Sequence, residues 1–188
     1  MRRLIAFAAL LILWAPPGAA SDWRLAPAGS EITFVYVEND RPKAARFRDF
    51  DGRARFDPAQ PETAEMSMRV EASSIDMGNP FLNTIARSID WLDAATYPEM
   101  SFRLDRLTAL EDGRYQAEGT LSVKGRDVVI TPIVELVDVP EGLRARGRFV
   151  FDRRDYRIGI GFTSLFTRIE DEVALSFDLL GAPATAQE

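Results

Sequence analysis

YQAEGTLSVKG (Tyr115–Gly125), RDVVITPIVELVDVPEG (Arg126–Gly142) and LRARGRFVF (Leu143–Phe151) are consecutive, and their reading decides the fold. In the first, Tyr115, Ala117, Gly119, Leu121 and Val123 fall on one face, and Gln116, Glu118, Thr120 and Ser122 on the other. After Lys124-Gly125 the alternation resumes with Val128, Ile130, Pro132, Val134 and Leu136. It returns after Pro140-Glu141-Gly142 as Leu143, Ala145, Gly147, Phe149 and Phe151 against Arg144, Arg146 and Arg148. Period-two alternation over this length predicts adjacent antiparallel strands with one dry and one wet face.

Working outward, Trp23–Leu25 and Glu31–Val37 read as two strands, the second with Ile32, Phe34 and Tyr36 on one face. Ala44–Phe56 reads as one long strand with a bulge at Asp51-Gly52. Met66, Met68 and Val70 mark another strand; so do Met100, Phe102 and Leu104, and finally Val173, Leu175, Phe177 and Leu179. Between them Phe81, Leu82, Ile85 and Ile89 recur at helical spacing, with Asn79 as N-cap and Pro80 in the first turn. About eight or nine strands and one helix make an all-β fold. One short helix cannot cover an open sheet of that size, so the sheet must pack on itself or close. The length of Ala44–Phe56 and Arg126–Val139 favours closure as a barrel.

Residues 1–20 carry a positive start at Arg2-Arg3, an apolar Leu4–Trp14 segment and a small-residue Ala15–Ala20 region. That pattern predicts a secretory signal peptide cleaved after Ala20 and export to the periplasm or beyond the cell. The barrel is expected over 21–181, and a disordered tail over 182–188. The formal charge is −6, and −8 without the two leading arginines, which argues against nucleic acid. There is no cysteine and no histidine. Cys/His metal sites, His-ligated haem, Cys nucleophiles and His bases are therefore excluded. A hydrolase or isomerase working through Asp or Glu is left, but no carboxylates pair persuasively. Glu170-Asp171-Glu172 reads as a solvated turn.

The predicted inward set is aromatic and methionine-rich: Phe34, Tyr36, Phe47, Met66, Met68, Phe102, Leu104, Leu121, Phe149, Phe151 and Phe177. Such residues either fill the core or line a pocket for a flexible apolar ligand. Gly119, Gly147, Ala117 and Ala145 on the same face withdraw volume and favour the pocket. The helix either plugs one end or acts as a lid over a portal. Phe162, Leu165 and Phe166, in the Gly159–Phe166 loop, either form a rim or simply pack.

Several ordered segments together resemble the YceI-like family of exported, lipocalin-like proteins. They include Phe47–Pro58 (FRDFDGRARFDP), Ala72–Gly78 (ASSIDMG), Arg87–Asp93 (RSIDWLD), Tyr97–Phe102 (YPEMSF), Gly119–Gly125, Phe151–Tyr156 (FDRRDY) and Asp171–Phe177 (DEVALSF). The resemblance implies a lipocalin-like eight-stranded antiparallel β-barrel with one short helix at one end and a long apolar cavity. It implies binding of an isoprenoid lipid, isoprenoid quinone or similar amphiphile, no enzymatic activity and no resident cofactor. Carried over by position, Ile75, Trp91, Leu92, Phe102, Leu121 and Phe151 would line the cavity or its mouth. Some members are linked to membrane cytochromes of the b561 type, so a filled barrel serving such a partner is the rival reading. A dimer is left open. Histidines common in the first strands of relatives are absent from Ala28–Val37, and Arg157 stands where glycine is usual.

Overall fold

A computed structural model describes residues 20–162 and 168–184. The signal segment up to residue 19, Leu165 and Phe166 of the loop, and tail residues 185–188 lie outside the described residues. The strands are β1 (Ser21–Glu38), β2 (Arg41–Phe47), β3 (Phe50–Phe56), β4 (Glu65–Glu71), β5 (Ile75–Asp76), β6 (Glu99–Ala109), β7 (Tyr115–Val123), β8 (Arg126–Ile130), β9 (Ile133–Val139), β10 (Gly142–Asp152) and β11 (Glu172–Pro183). The one α-helix, α1, spans Pro80–Arg87.

All pairings are antiparallel, and β11 pairs both with β10 and with β1, which closes the sheet. The strands form a closed eight-strand barrel because three staves are broken in two. The stretch 44–56 is not one strand bulged at Gly52. It divides at Arg48-Asp49 into β2, beside the second half of β1, and β3, beside its first half. The neighbouring stave breaks at the same level, between β4 and β5. The Glu71 amide donates to the Asp49 carbonyl (3.0 Å) and the Ala72 amide to the Pro98 carbonyl (2.8 Å), with Ala72 fully buried at the corner. Gly52 lies within regular β3 opposite Met68, and a Cβ there would stand 2.9 Å from the Ser67 carbonyl oxygen.

The stretch 126–139 likewise divides, at Thr131-Pro132, where proline has no amide to give the ladder. Its first half pairs with β7, and its second with β10 and the start of β7. Conversely, the two first strands expected at 23–25 and 31–37 are one strand. Its register slips between Ala26 and Glu31, and the Ser30 hydroxyl bridges the slip, donating to the Ala26 carbonyl (2.6 Å) and accepting from the Leu180 amide (2.8 Å). β11 also runs on through Ala182 and Pro183, where a tail was expected to begin.

Two turns have left-handed backbone at both central residues, Asn39-Asp40 and Lys124-Gly125. That geometry matches strand twist, and Asn, Asp and Gly tolerate it best. Both turns lie at the same end of the barrel as α1, called the near end below. Asn79 caps α1 as expected, its side-chain oxygen accepting from the amides of Phe81 (2.9 Å) and Leu82 (3.3 Å), with Pro80 in the first turn. The helix ends at Arg87, so Ile89 lies beyond it.

Candidate functional site

The barrel interior is not filled. Inward side chains from every stave surround one cavity of about 780 Å³, within the range of small-molecule sites. All thirteen residues singled out as ligand-facing lie on its wall: Phe34, Tyr36, Phe47, Met68, Ile75, Trp91, Leu92, Phe102, Leu104, Leu121, Phe149, Phe151 and Phe177. Met66 joins them. The sequence reading missed Trp23, Phe56, Leu136 and Leu143, which line the part of the cavity away from the helix. Leu136 and Leu143 are in phase with the quoted alternation and could have been chosen on that signal alone.

Two aromatic groups frame the wall. Phe34 lies 6.2 Å from Tyr36 and 5.6 Å from Phe47, centroid to centroid. Phe151 bridges Phe149 (6.0 Å) and the fully buried Tyr156 (5.5 Å, edge to face). Such pairs fix ring positions beyond simple burial. At the far end Phe56, Leu107, Ala117 and Val134 form a separate buried cluster that closes the barrel, with Tyr115 edge-on to Phe56 at 5.7 Å. Arg53, Arg55 and Glu65, exposed on β3 and β4, also border the cavity.

At the near end α1 lies across the opening. Leu82, Ile85 and Ala86 face the cavity, while Phe81 lines it and is still 72% exposed, marking the rim. The link into the helix is pinned. Asp76 accepts from the Gly78 amide (3.0 Å) and from Arg48 (3.0 Å to Nε), and Asn83 accepts from the Met77 amide (2.7 Å). The Gly78 amide and then Arg48 hold the Asp76 carboxyl below its ordinary pKa. On the other side Lys124 Nζ donates to the carbonyls of Ile89 (2.7 Å) and Arg157 (3.2 Å), and burial lowers its pKa.

Polar groups on the wall are few, and the most buried one is already committed. Arg153, 7% exposed, directs all five N–H groups at protein acceptors. Nε donates to the Glu170 carbonyl (3.0 Å), Nη1 to those of Ile158 (2.7 Å) and Gly159 (3.1 Å), and Nη2 to the Ile169 carbonyl (3.1 Å) and Asp171 Oδ1 (2.9 Å). Asp171 also pairs with Arg154 at 2.7 Å, so that within the expected solvated turn Glu170 and Glu172 are exposed while Asp171 anchors the base of the loop. The guanidinium ties both sides of the 153–171 connection together and has no N–H left for a ligand. Tyr36, 8% exposed, stands at the near end, its phenol pKa raised by burial and then by Glu38 beside it, and the buried Trp23 Nε1 on the far wall has no acceptor among the described residues.

The small inward residues act differently from expectation. A Cβ on Gly119 would meet the Phe102 ring, and one on Gly147 would meet the Phe177 ring. The missing side chains seat neighbouring rings flat on the wall, and the cavity lies inside those rings. The apolar wall has the composition of a binding site, and among the described residues no three carboxylates converge where they could hold a metal ion.

Comparison with known proteins agrees with this geometry. A curated relative, a UPF0312 protein of Azotobacter vinelandii, is 31% identical over 88 residues, covering 47% of this chain and 44% of its own length. A UPF0312 protein of Vibrio cholerae is 26% identical over 92 residues, 49% of each chain. The matched region thus spans under half the length of these relatives. Among solved structures, Burkholderia cenocepacia BcnA superposes with a TM-score of 0.78 at 25% identity, covering 82% of this chain and 98% of that one. A polyisoprenoid binding domain from Saccharophagus degradans, described as implicated in plant cell wall breakdown, superposes at 0.71 and 18% identity, covering 86% and 98%. The profile of the YceI-like domain matches residues 23–180, and the chain belongs to that family.

Proposed function

We propose that the protein is an exported, periplasmic binding protein that holds a long apolar chain, an isoprenoid lipid or isoprenoid quinone, in its barrel. The observation that carries this reading is the single cavity running from the rim at Phe81 to the cluster at Phe56, walled almost wholly by apolar side chains. Chain burial supplies about 0.8 kcal/mol per CH₂, offset by the ordering of a flexible ligand. Met66, Met68 and Met100 on the wall can adapt to the irregular outline of such a chain. The polyisoprenoid-binding structural relative supports the choice of ligand class. With Arg153 saturated, the buried phenol of Tyr36 is placed to meet a hydroxyl or carbonyl head at the near end, while Arg53 and Arg55 border the cavity on its far side.

The family and the hollow apolar interior support binding over catalysis. The cavity supports a ligand-holding barrel over a filled one that serves only a membrane cytochrome. The test is native mass spectrometry of the protein purified from a bacterial periplasm, followed by organic extraction. One isoprenoid or quinone molecule per chain is expected; a clean unliganded mass after gentle purification would sink the proposal.

A further inference from the structure

The outer surface is polarised along the barrel axis. Among the described residues, eight large apolar side chains are exposed, and all lie in the half that carries α1. Phe81 (72%) is on the helix, Ile89 (73%) just beyond it, and Tyr97 leads from it into β6. Ile160 (48%) and Phe162 (70%) belong to the facing loop. The Ile160 and Gly159 amides donate to the Asp90 carbonyl (3.3 and 2.8 Å), which sets Ile160 beside Ile89. Ile89, Tyr97, Val129 and Ile160 border one shallow groove, whose floor and sides also carry Asp90, Asp93, Asp127 and Asp155 beside Lys124, Arg126 and Arg157. Val35 and Val150 stand on the outer wall on either side of Ala174, close to the near-end termini of β1 and β10. The far-end connections, 57–64, 110–114 and 140–141, carry no exposed large apolar residue among the described residues. Both lysines of the chain, Lys43 and Lys124, lie at the near end.

Scattered exposed apolar residues need no explanation, but a set gathered on one end and continuous with a cavity rim does. Phe81 belongs to both the exposed set and the cavity wall. An apolar path therefore runs from the interior to the outer surface without crossing a polar belt at that residue. We propose that the near end docks on a phospholipid bilayer, with Phe81, Ile89, Ile160 and Phe162 sunk into the boundary between head groups and acyl chains. The far end then points away from the membrane, and the carboxylates of the groove stay at head-group level beside Lys124, Arg126 and Arg157. This rests on the lipid-binding reading: a water-insoluble chain would pass between bilayer and cavity beside Phe81 without entering water.

The test is flotation of the purified full chain with vesicles of phosphatidylcholine, alone and mixed with phosphatidylglycerol. The protein is expected to float with both. Ile89→Asp combined with Ile160→Asp should weaken partitioning at least about tenfold. Ile89→Ser with Ile160→Ser is a milder pair that guards against misfolding, and Glu141→Lys at the far end should change nothing. Thermal unfolding and extractable lipid are measured on each variant. Neither isoleucine lines the main cavity, so lipid content should be kept. The proposal is overturned if the wild type stays unbound to both vesicles, if the paired variants float like the wild type, or if binding needs anionic lipid and vanishes in salt. Binding only to vesicles carrying membrane protein would also overturn it, pointing to a protein partner instead. Docking by a protein without extractable lipid would refute the cavity reading alone.

Discussion

The ring of Phe102 lies across Gly119 of the adjacent strand, so that a Cβ on the glycine would come within 2.5 Å of Phe102 Cζ. Gly119 is therefore fixed by close approach, since its φ is not in the left-handed region. Gly147 and Phe177 repeat the relationship in β10 and β11. A large ring flattened on a glycine keeps the barrel centre open, whereas the same ring standing upright would occupy it. The cavity is thus shaped by pairs of residues, each meaningless alone.

Gly119→Ala should force the Phe102 ring off the wall and destabilise the protein by about 1–3 kcal/mol, the usual cost of overpacking. Adding Phe102→Leu should recover part of the loss, because the smaller side chain makes room. The Arg103 carbonyl, also close to the new methyl, limits the recovery. A urea double-mutant cycle checks this: strictly additive effects would mean that the two residues do not share the space.

Phe102→Arg should abolish lipid binding, since a cation would be driven into an apolar wall and several kcal/mol of desolvation would oppose any ligand beside it, on the order of the cost for buried unpaired charge. That variant also strains the fold. Leu121→Trp, on the strand position opposite Phe102, fills the cavity without charge. It should retain a cooperative thermal transition while the extracted lipid falls well below one per chain. Full lipid occupancy in a folded Leu121→Trp protein would place the ligand elsewhere.

Arg153→Met should cost about 3–5 kcal/mol, because removing the guanidinium leaves Asp171 and four carbonyls without a donor they now have. Arg153→Lys should rescue little, as an ammonium cannot span five divergent acceptors. Denaturant midpoints of the three proteins measure the effect, and near-equality of Arg153→Lys with the wild type would argue against the fork.

Asp76 predicts an acid-sensitive helix anchor. Its folded pKa is depressed, first by the Gly78 amide and then by Arg48, below an ordinary value of 3.8. The anchoring is therefore fully present above that value and is lost as pH falls through the lowered folded pKa. Hydrogen exchange of the Phe81–Arg87 amides should accelerate in that acid window before the barrel amides do. In Asp76→Asn the exchange should be faster at neutral pH and lose its acid step; an unchanged step would assign it to another carboxyl.

Much of the site was legible before any fold was known. Antiparallel pairing imposes a period of two, and a closed barrel has only an inside and an outside, so the phase of Phe34, Phe102, Leu121 or Phe177 along its own strand already set the side it faces. The Asn79 cap was equally local, needing only a side-chain oxygen ahead of two free amides. What sequence could not show lay between strands. The 126–139 stretch keeps its alternation across the break at Pro132, because the change of pairing partner there leaves the inward phase of the side chains intact; in 44–56 the inward phase shifts by one at Arg48-Asp49, from Ala45 and Phe47 to Phe50 and Phe56, which a bulge would also produce. Trp23–Leu25 and Glu31–Val37 looked separate because the slip between Ala26 and Glu31 interrupts the alternation, although Ser30 carries the strand through it. Arg153 gave no sign in the chain, as its acceptors come from carbonyls up to 17 residues away. Alternation determined which side chains face inward; only the placement of neighbouring strands, with rings seated on glycines and a helix pinned across one end, decided that they enclose a space instead of filling it.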